Sequence, residues 1–399
     1  MNKNLYNSDA YLKEFVSDVV SFRKVIWQKE EVYEIVLDQT CFFPEQGGQT
    51  SDTGKLYDMD SSKVYEVFHA YIKDDTVYHL ARTATRDNLA DSIQEAPKKI
   101  HGMINFDERF DKMQNHSGEH LVSGTVHRLF GYDNVGFALT KDNCTLDFNG
   151  LFKDEDIDII ERTVNRAVFE NIEVKILYPT EGELKNIEYR SKKEIEGQVR
   201  LVEFPGYDIC ACCAPHVKRT GEIGLVKIVS AEHFKGGTRM TIRCGYRALS
   251  DYGRKLNECR KISQILSVPI DVVSPAVEKL NSDYMKSKYE LVGKMNTILS
   301  LKAKEVKGDK NPLIFLEESD NNAVRAAVNG MIKENSGICG IFTGNDEKGY
   351  SYIIASSGTD CTSVLAMLKE KAQAKGGGSK GMIQGSIPAA ENEIRKLLT

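Results

Sequence analysis

Apolar residues alternate with polar ones in short runs across residues 23–100, as in 32–37 and 64–70, with polar turns between the runs. A period of two puts one set of side chains on one face and predicts a small β-rich, barrel-like domain over residues 1–100. From Phe106 the period lengthens. Phe106, Phe110, Met113, Leu121, Val122, Val126 and Leu129 gather near one face of a helix over 107–130, and Gly131 suits its C-cap. Strands predicted at 146–148, 174–177, 225–230 and 238–243, with an amphipathic helix over 156–171, complete a mixed α+β domain spanning 101–248.

Residues 249–311 read as a helical arm and a charged linker. Ser274-Pro275 predicts a helix start with serine as N-cap and proline at the first position. Val277, Tyr284, Leu291 and Ile298 recur every seven residues, while Asn281, Lys288 and Lys302 interrupt the other seam. The pattern predicts a short arm or a homodimer contact, not a long coiled coil. Residues 312–399 read as a small α/β domain with strands at 313–316, 338–343 and 350–356 and helices at 322–334 and 362–374. The last of these helices runs into Lys375, Gly376, Gly377, Gly378, Ser379 and Lys380. Such a segment is expected to be a loop that either cradles a phosphate or makes a tight turn, and it lacks Walker spacing. The fold class is α+β.

Hydrophobic content of 41% and charged content of 28% are ordinary for a globular protein. The N-terminal residues carry no run resembling a secretion signal, no later stretch is expected to span a bilayer, and nine cysteines fit a reducing cytoplasm. A net charge of −5 argues against a generally basic nucleic-acid binder, though a local groove can do that work.

His116 and His120 lie one turn apart on the predicted helix, close enough to share a metal ion. Cys212 and His216 repeat the interval roughly ninety positions later and would complete a tetrahedral shell suited to zinc. Either half alone reads as a packed pair, whereas two matching halves favour a metal. A third signal is residues 43–49, Phe-Pro-Glu-Gln-Gly-Gly-Gln, where small residues let Gln49 reach a ligand as donor or acceptor.

Taken in order, residues 43–49, the HxxxH and CxxxH pairs and residues 220–228 resemble the editing region of alanyl-tRNA synthetase, and above all the free-standing alanyl-tRNA editing proteins of the AlaX type. Residues 313–399 resemble the synthetase's glycine-rich C-terminal domain, so the likeness covers nearly the whole chain. It implies zinc held by His116, His120, Cys212 and His216, Gln49 near the aminoacyl group, and tRNA contact and dimerisation through the C-terminal domain, with Lys375, Gly376, Gly377, Gly378 and Lys380 as the candidate backbone-binding segment. The implied activity is hydrolysis of serine mischarged on tRNA(Ala). About a hundred residues precede His116 and hold no recognisable ATP site, so an editor acting in trans is expected rather than a synthetase.

Departures from the family pattern are specific. Gln46 stands where a first glycine is usual, and Pro215 removes a backbone donor beside His216. Cys210 and Cys213 flank Cys212 as rival thiolates, with Cys212 preferred for its spacing. His127 and Cys144 read as packing residues, and Asp208 as a turn residue or a support for a ligand. Two other classes compete: an RNA-binding protein with a purely structural zinc, and an HxxEH metallopeptidase with Glu119 as base and Glu194 or Glu196 as a further ligand.

Overall fold

Alternation in the N-terminal third closes a sheet on itself. In the computed structural model, which describes residues 3–84, 96–191 and 197–399, six antiparallel strands form a closed barrel. In order around it they are Glu14–Trp27, Glu30–Leu37, Thr76–Thr83, Val64–Lys73, Gly54–Asp58 and Lys99–Ile104. Ile35, Leu37, Leu56, Val67, Val77 and Ile100 point inward and fill it.

Next comes helix α1, Phe106–Phe130. Asn105 caps it, its side chain accepting from the Glu108 amide at 3.4 Å, and Gly131 closes it at φ 68° with its amide on the His127 carbonyl. Unlike a surface helix, α1 is buried on nearly all sides from Arg109 to Val126, so each polar residue on it needs a partner. Against it pack helix α2, Asp154–Glu170, and a four-stranded sheet ordered Val226–Phe234, Gly237–Cys244, Cys144–Phe148 and Asn134–Leu139. A smaller sheet orders Lys175–Leu177, Leu201–Phe204 and Asp208–Ala211. Gly124 lets its last strand approach α1, because a Cβ there would lie 2.4 Å from the Tyr207 carbonyl oxygen.

Residues 1–258 form one compact unit and 259–399 another. Helix Gly245–Leu266 is followed by Val273–Glu305. The second of these begins at Val273 with Val272 as N-cap, not at Ser274. A 3-10 turn over Ile270–Val272 feeds straight into it, and Pro275 is tolerated because amides of the first turn need no helical partner. Val277, Tyr284, Leu291 and Ile298 are all exposed, by 43% or more. The C-terminal unit is a five-stranded mixed sheet, ordered Leu313–Leu316, Ile338–Asn345, Gly349–Ser356, Met382–Ile387 and Lys375–Ser379. Helices Asn321–Glu334, Cys361–Ala372 and Glu391–Leu398 accompany it. The glycine segment is therefore not a loop. Lys375–Ser379 is an exposed edge strand, set by its hydrogen-bonded register to Met382–Ile387, with the turn falling at Lys380-Gly381.

Candidate metal centre

The string Gln46-Gly47-Gly48-Gln49 folds as a two-residue hairpin turn. Gln46 and Gln49 exchange both backbone hydrogen bonds at 3.1 Å, and the central glycines take φ 62° and 86°. Two successive positive φ angles define a type I′ turn, which only glycine-like residues enter cheaply. Gln46 itself has no positive φ, so its replacing a glycine introduces no strain. Gly48 accepts the Leu139 amide at 2.7 Å and Thr50 donates to the Leu139 carbonyl at 3.0 Å, which stitches the turn to the neighbouring strand.

That turn delivers Gln49, fully buried, to α1. Its Oε1 accepts from His116 Nδ1 at 2.7 Å. His120 Nδ1 donates to Asp208 Oδ2 at 2.9 Å, and Ser117 Oγ lies 3.0 Å from His216 Nδ1. With every Nδ1 occupied, the three imidazoles turn their Nε2 atoms toward a common point. Cys212 Sγ sits there, 3.6 Å from His116 Nε2 and 3.3 Å from His216 Nε2. One donor atom from each of His116, His120, Cys212 and His216 lies within 4.8 Å of the others. The histidines are 2–4% exposed, with Phe137 against His116 and Phe204 stacked on His120. Three imidazoles each hydrogen-bonded at Nδ1, together with a thiol, fit a borderline-soft cation, which these four residues could hold.

Cys210 belongs instead to a group with His120 and Asp208, and Cys213 packs with Tyr6 and Phe43. Burial pushes the Cys210 thiol up to about 11 and Cys213 up to about 12. Arg200 Nη1 donates to the Cys212 and Ala214 carbonyls at 2.5 and 3.1 Å, so the turn ahead of Pro215 is held by a side chain. Burial, and then His120 and His116, hold His216 well below the ordinary histidine value. Burial works against protonating His120 too, but the bond to Asp208 and nearby Glu119 and Cys210 outweigh it and raise its pKa.

Sequence reasoning missed Ser117 and Arg190. Ser117 could have been suspected from its place inside His116-Ser117-Gly118-Glu119-His120, whereas nothing local marks Arg190. Glu119 uses Oε1 to accept from Ser123 and Asn134 at 2.8 and 2.7 Å, and its Oε2 is 3.8 Å from His120 Nε2. Cys144 is a core residue as expected. His127 is not, because α1 emerges from the core at its last turn and His127 pairs with Asp133 at the surface. Glu194 and Glu196 lie outside the described residues. A cavity of about 1000 Å³ is lined by residues that include Asn134, Tyr189, Arg190, Tyr207, Asp208 and Cys210 but none of the four candidate ligands; Asp208, the partner of His120, joins the two.

The sequence matches known proteins along most of its length. Residues 199–240 match the family described as threonyl and alanyl tRNA synthetase second additional domain, and residues 3–98 match tRNA synthetases class II (A). An alanyl-tRNA editing protein AlaX-L of Pyrococcus horikoshii is 26% identical over 99% of this chain and 96% of its own length. The alanyl-tRNA editing protein Aarsd1 of Rattus norvegicus is 25% identical over 99% and 97%. An alanine–tRNA ligase of Methanobrevibacter smithii is 26% identical over 97% of this chain, which spans only 44% of that enzyme. The chain is a distant homologue of both groups. Among the described residues no helix is long and apolar enough to cross a membrane.

Proposed function

We propose that this protein is a zinc-dependent aminoacyl-tRNA deacylase, working in trans on serine mischarged onto tRNA(Ala). The observation that carries the reading is the meeting of Gln49 with the three-histidine, one-cysteine group, which Asp208 connects to a cavity of about 1000 Å³. Serine exceeds alanine by one hydroxyl, and a small pocket rejects such an addition only about a hundredfold, so a second hydrolytic site answers a real need.

The chain's own residues divide the work. Gln49 spends Oε1 on His116, and its Nε2 is a buried donor without a partner among the described residues, free to hold an oxygen of the aminoacyl group. Tyr189 and Tyr207 on the cavity wall offer ring surfaces to a terminal base. When bound, zinc supplies Lewis-acid polarisation of the ester or a more acidic water.

A second reading has one observation behind it. Four protein ligands close a tetrahedral shell, which is the pattern of a structural zinc in a non-catalytic RNA-binding protein. Hydrolysis of Ser-tRNA(Ala), Ala-tRNA(Ala) and Ser-tRNA(Thr) by wild type and His120→Ala, with metal content measured, separates the two. Loss of serine from alanine tRNA alone, abolished with the metal, is the expected result. No deacylation by folded, zinc-loaded protein would leave the structural reading. We further propose phosphate contacts from Lys375, Lys380 and the glycine strand, a homodimer through the exposed heptad stripe, a four-part organisation at 1–100, 101–248, 249–311 and 312–399, and a cytoplasmic setting. Sedimentation of the wild type against Leu291→Lys tests the dimer.

A further inference from the structure

Resting on that metal-centre reading, we propose that Arg190 and Asp208 are a positioning pair that fixes His120 as the anchoring ligand of the centre. The three histidines differ in what holds them. His116 donates to an amide oxygen and His216 lies against a hydroxyl, whereas His120 donates to a carboxylate. An anionic acceptor makes the stronger bond and leaves the ring a better donor at Nε2.

The carboxylate is itself immobilised. Arg190 grips it with both arms of its fork, Nε to Oδ1 at 2.7 Å and Nη2 to Oδ2 at 2.9 Å. Asp208 Oδ2 is therefore shared between the guanidinium and the imidazole. The Arg190 backbone is pinned to the same strand, its amide on the Ile209 carbonyl at 2.8 Å and its carbonyl accepting the Ala211 amide at 2.9 Å. Asp208 is also pressed against α1, where a Cβ on Gly124 would lie 2.6 Å from its own Cβ. The carboxylate cannot rotate away without breaking this fork, so the ring plane and tautomer of His120 are set before any ligand arrives. A surface ion pair would not need such fixing.

The test measures zinc affinity by competition with a chromophoric chelator, alongside the visible spectrum of the cobalt-loaded protein and the melting temperature of the metal-free protein. Asp208→Asn keeps the shape but removes the anion, and should weaken zinc binding about 10–100-fold and shift the cobalt bands without a matching fall in metal-free melting temperature. Asp208→Glu should restore part of the affinity. Arg190→Lys keeps a charge without the fork and should fall between wild type and Asp208→Asn. Zinc affinity within twofold of wild type in Asp208→Asn overturns the proposal. Should that variant not fold, wild-type affinity in Arg190→Lys overturns it. A wild type that binds no zinc overturns instead the metal-centre reading beneath it.

Discussion

Replacing Arg109 by methionine should cost the N-terminal unit about 3–5 kcal/mol, because it strands a charge in the interior. Arg109 and Asp52 are 0% and 1% exposed. The guanidinium Nε donates to Asp52 Oδ1 and Oδ2 at 3.1 and 2.9 Å, Nη2 also meets Asp52, and the remaining donors reach the Cys41 carbonyl at 2.6 Å and the Ala10 carbonyl at 3.0 Å. Asp52 in turn accepts the Phe43 amide at 2.7 Å, at the root of the turn that carries Gln49. Removing the cation leaves the carboxylate with one amide and no ion-pair partner among the described residues. Both Arg109→Met and Arg109→Met/Asp52→Leu orphan the Cys41 and Ala10 carbonyls; the double variant also orphans the Phe43 amide, at about 1–3 kcal/mol, but no longer strands a buried charge, which costs more. The double variant should therefore be more stable than Arg109→Met alone. Trp27 is the only tryptophan and lies on a barrel strand, so its fluorescence reports this unit in urea titrations. A single substitution costing under about 1 kcal/mol, or a double variant whose loss equals the sum of the singles, would refute the reasoning.

Three further outcomes are expected. His79 is buried between Thr40 Oγ1 and the Ile35 carbonyl, and burial, partly offset by that carbonyl, lowers its pKa to about 4. The unfolded chain takes up a proton near pH ~6.5 and the folded one does not, so stability falls as pH drops, by about 2 kcal/mol at pH ~5 and about 3 kcal/mol below pH ~4. The wild-type-minus-His79→Gln difference in urea midpoint between those pH values checks it. Gly48→Ala places a Cβ 2.5 Å from the Phe137 carbonyl oxygen at φ 86°, so the turn must shift and Gln49 leave His116. Ser-tRNA(Ala) deacylation should fall tenfold or more, roughly, with zinc content retained, and an unchanged rate would sink that account. Lys375→Ala/Lys380→Ala should weaken tRNA binding and lower the slope of log affinity against log salt by about 1–2; an unaltered slope removes both from the phosphate contacts.

Much of this architecture was legible because it is written in local rules. The period of two marked the barrel strands, and Asn105 and Gly131 bracket α1 as caps should. The His116–His120 interval needs only helical geometry. Joining that pair to Cys212 and His216 took the match between two motifs, since nothing local brings residues so far apart together. Arg190 was hidden because its role depends on a tertiary approach that Gly124 permits from another element. The glycine strand was misread because glycine has little strand propensity and Lys375–Ser379 is held by a partner's register rather than by its own side chains. His127 followed the helical stripe but lay past the point where the core ends.

The turn at Gly47-Gly48 bears on what can be separated in this protein. Gln49 is rooted in the barrel, yet its amide completes the environment of a histidine on α1, and Asp52 from the same segment neutralises Arg109 one helical stretch earlier. Cutting the chain between residues 104 and 106 would thus give two fragments that each keep a hydrophobic core and each lose half of a polar interface. The barrel is in this sense not a module carried alongside the metal-binding layer. Fusions, circular permutations or transplants of this region should treat residues 3–258 as indivisible and place their junctions beyond it.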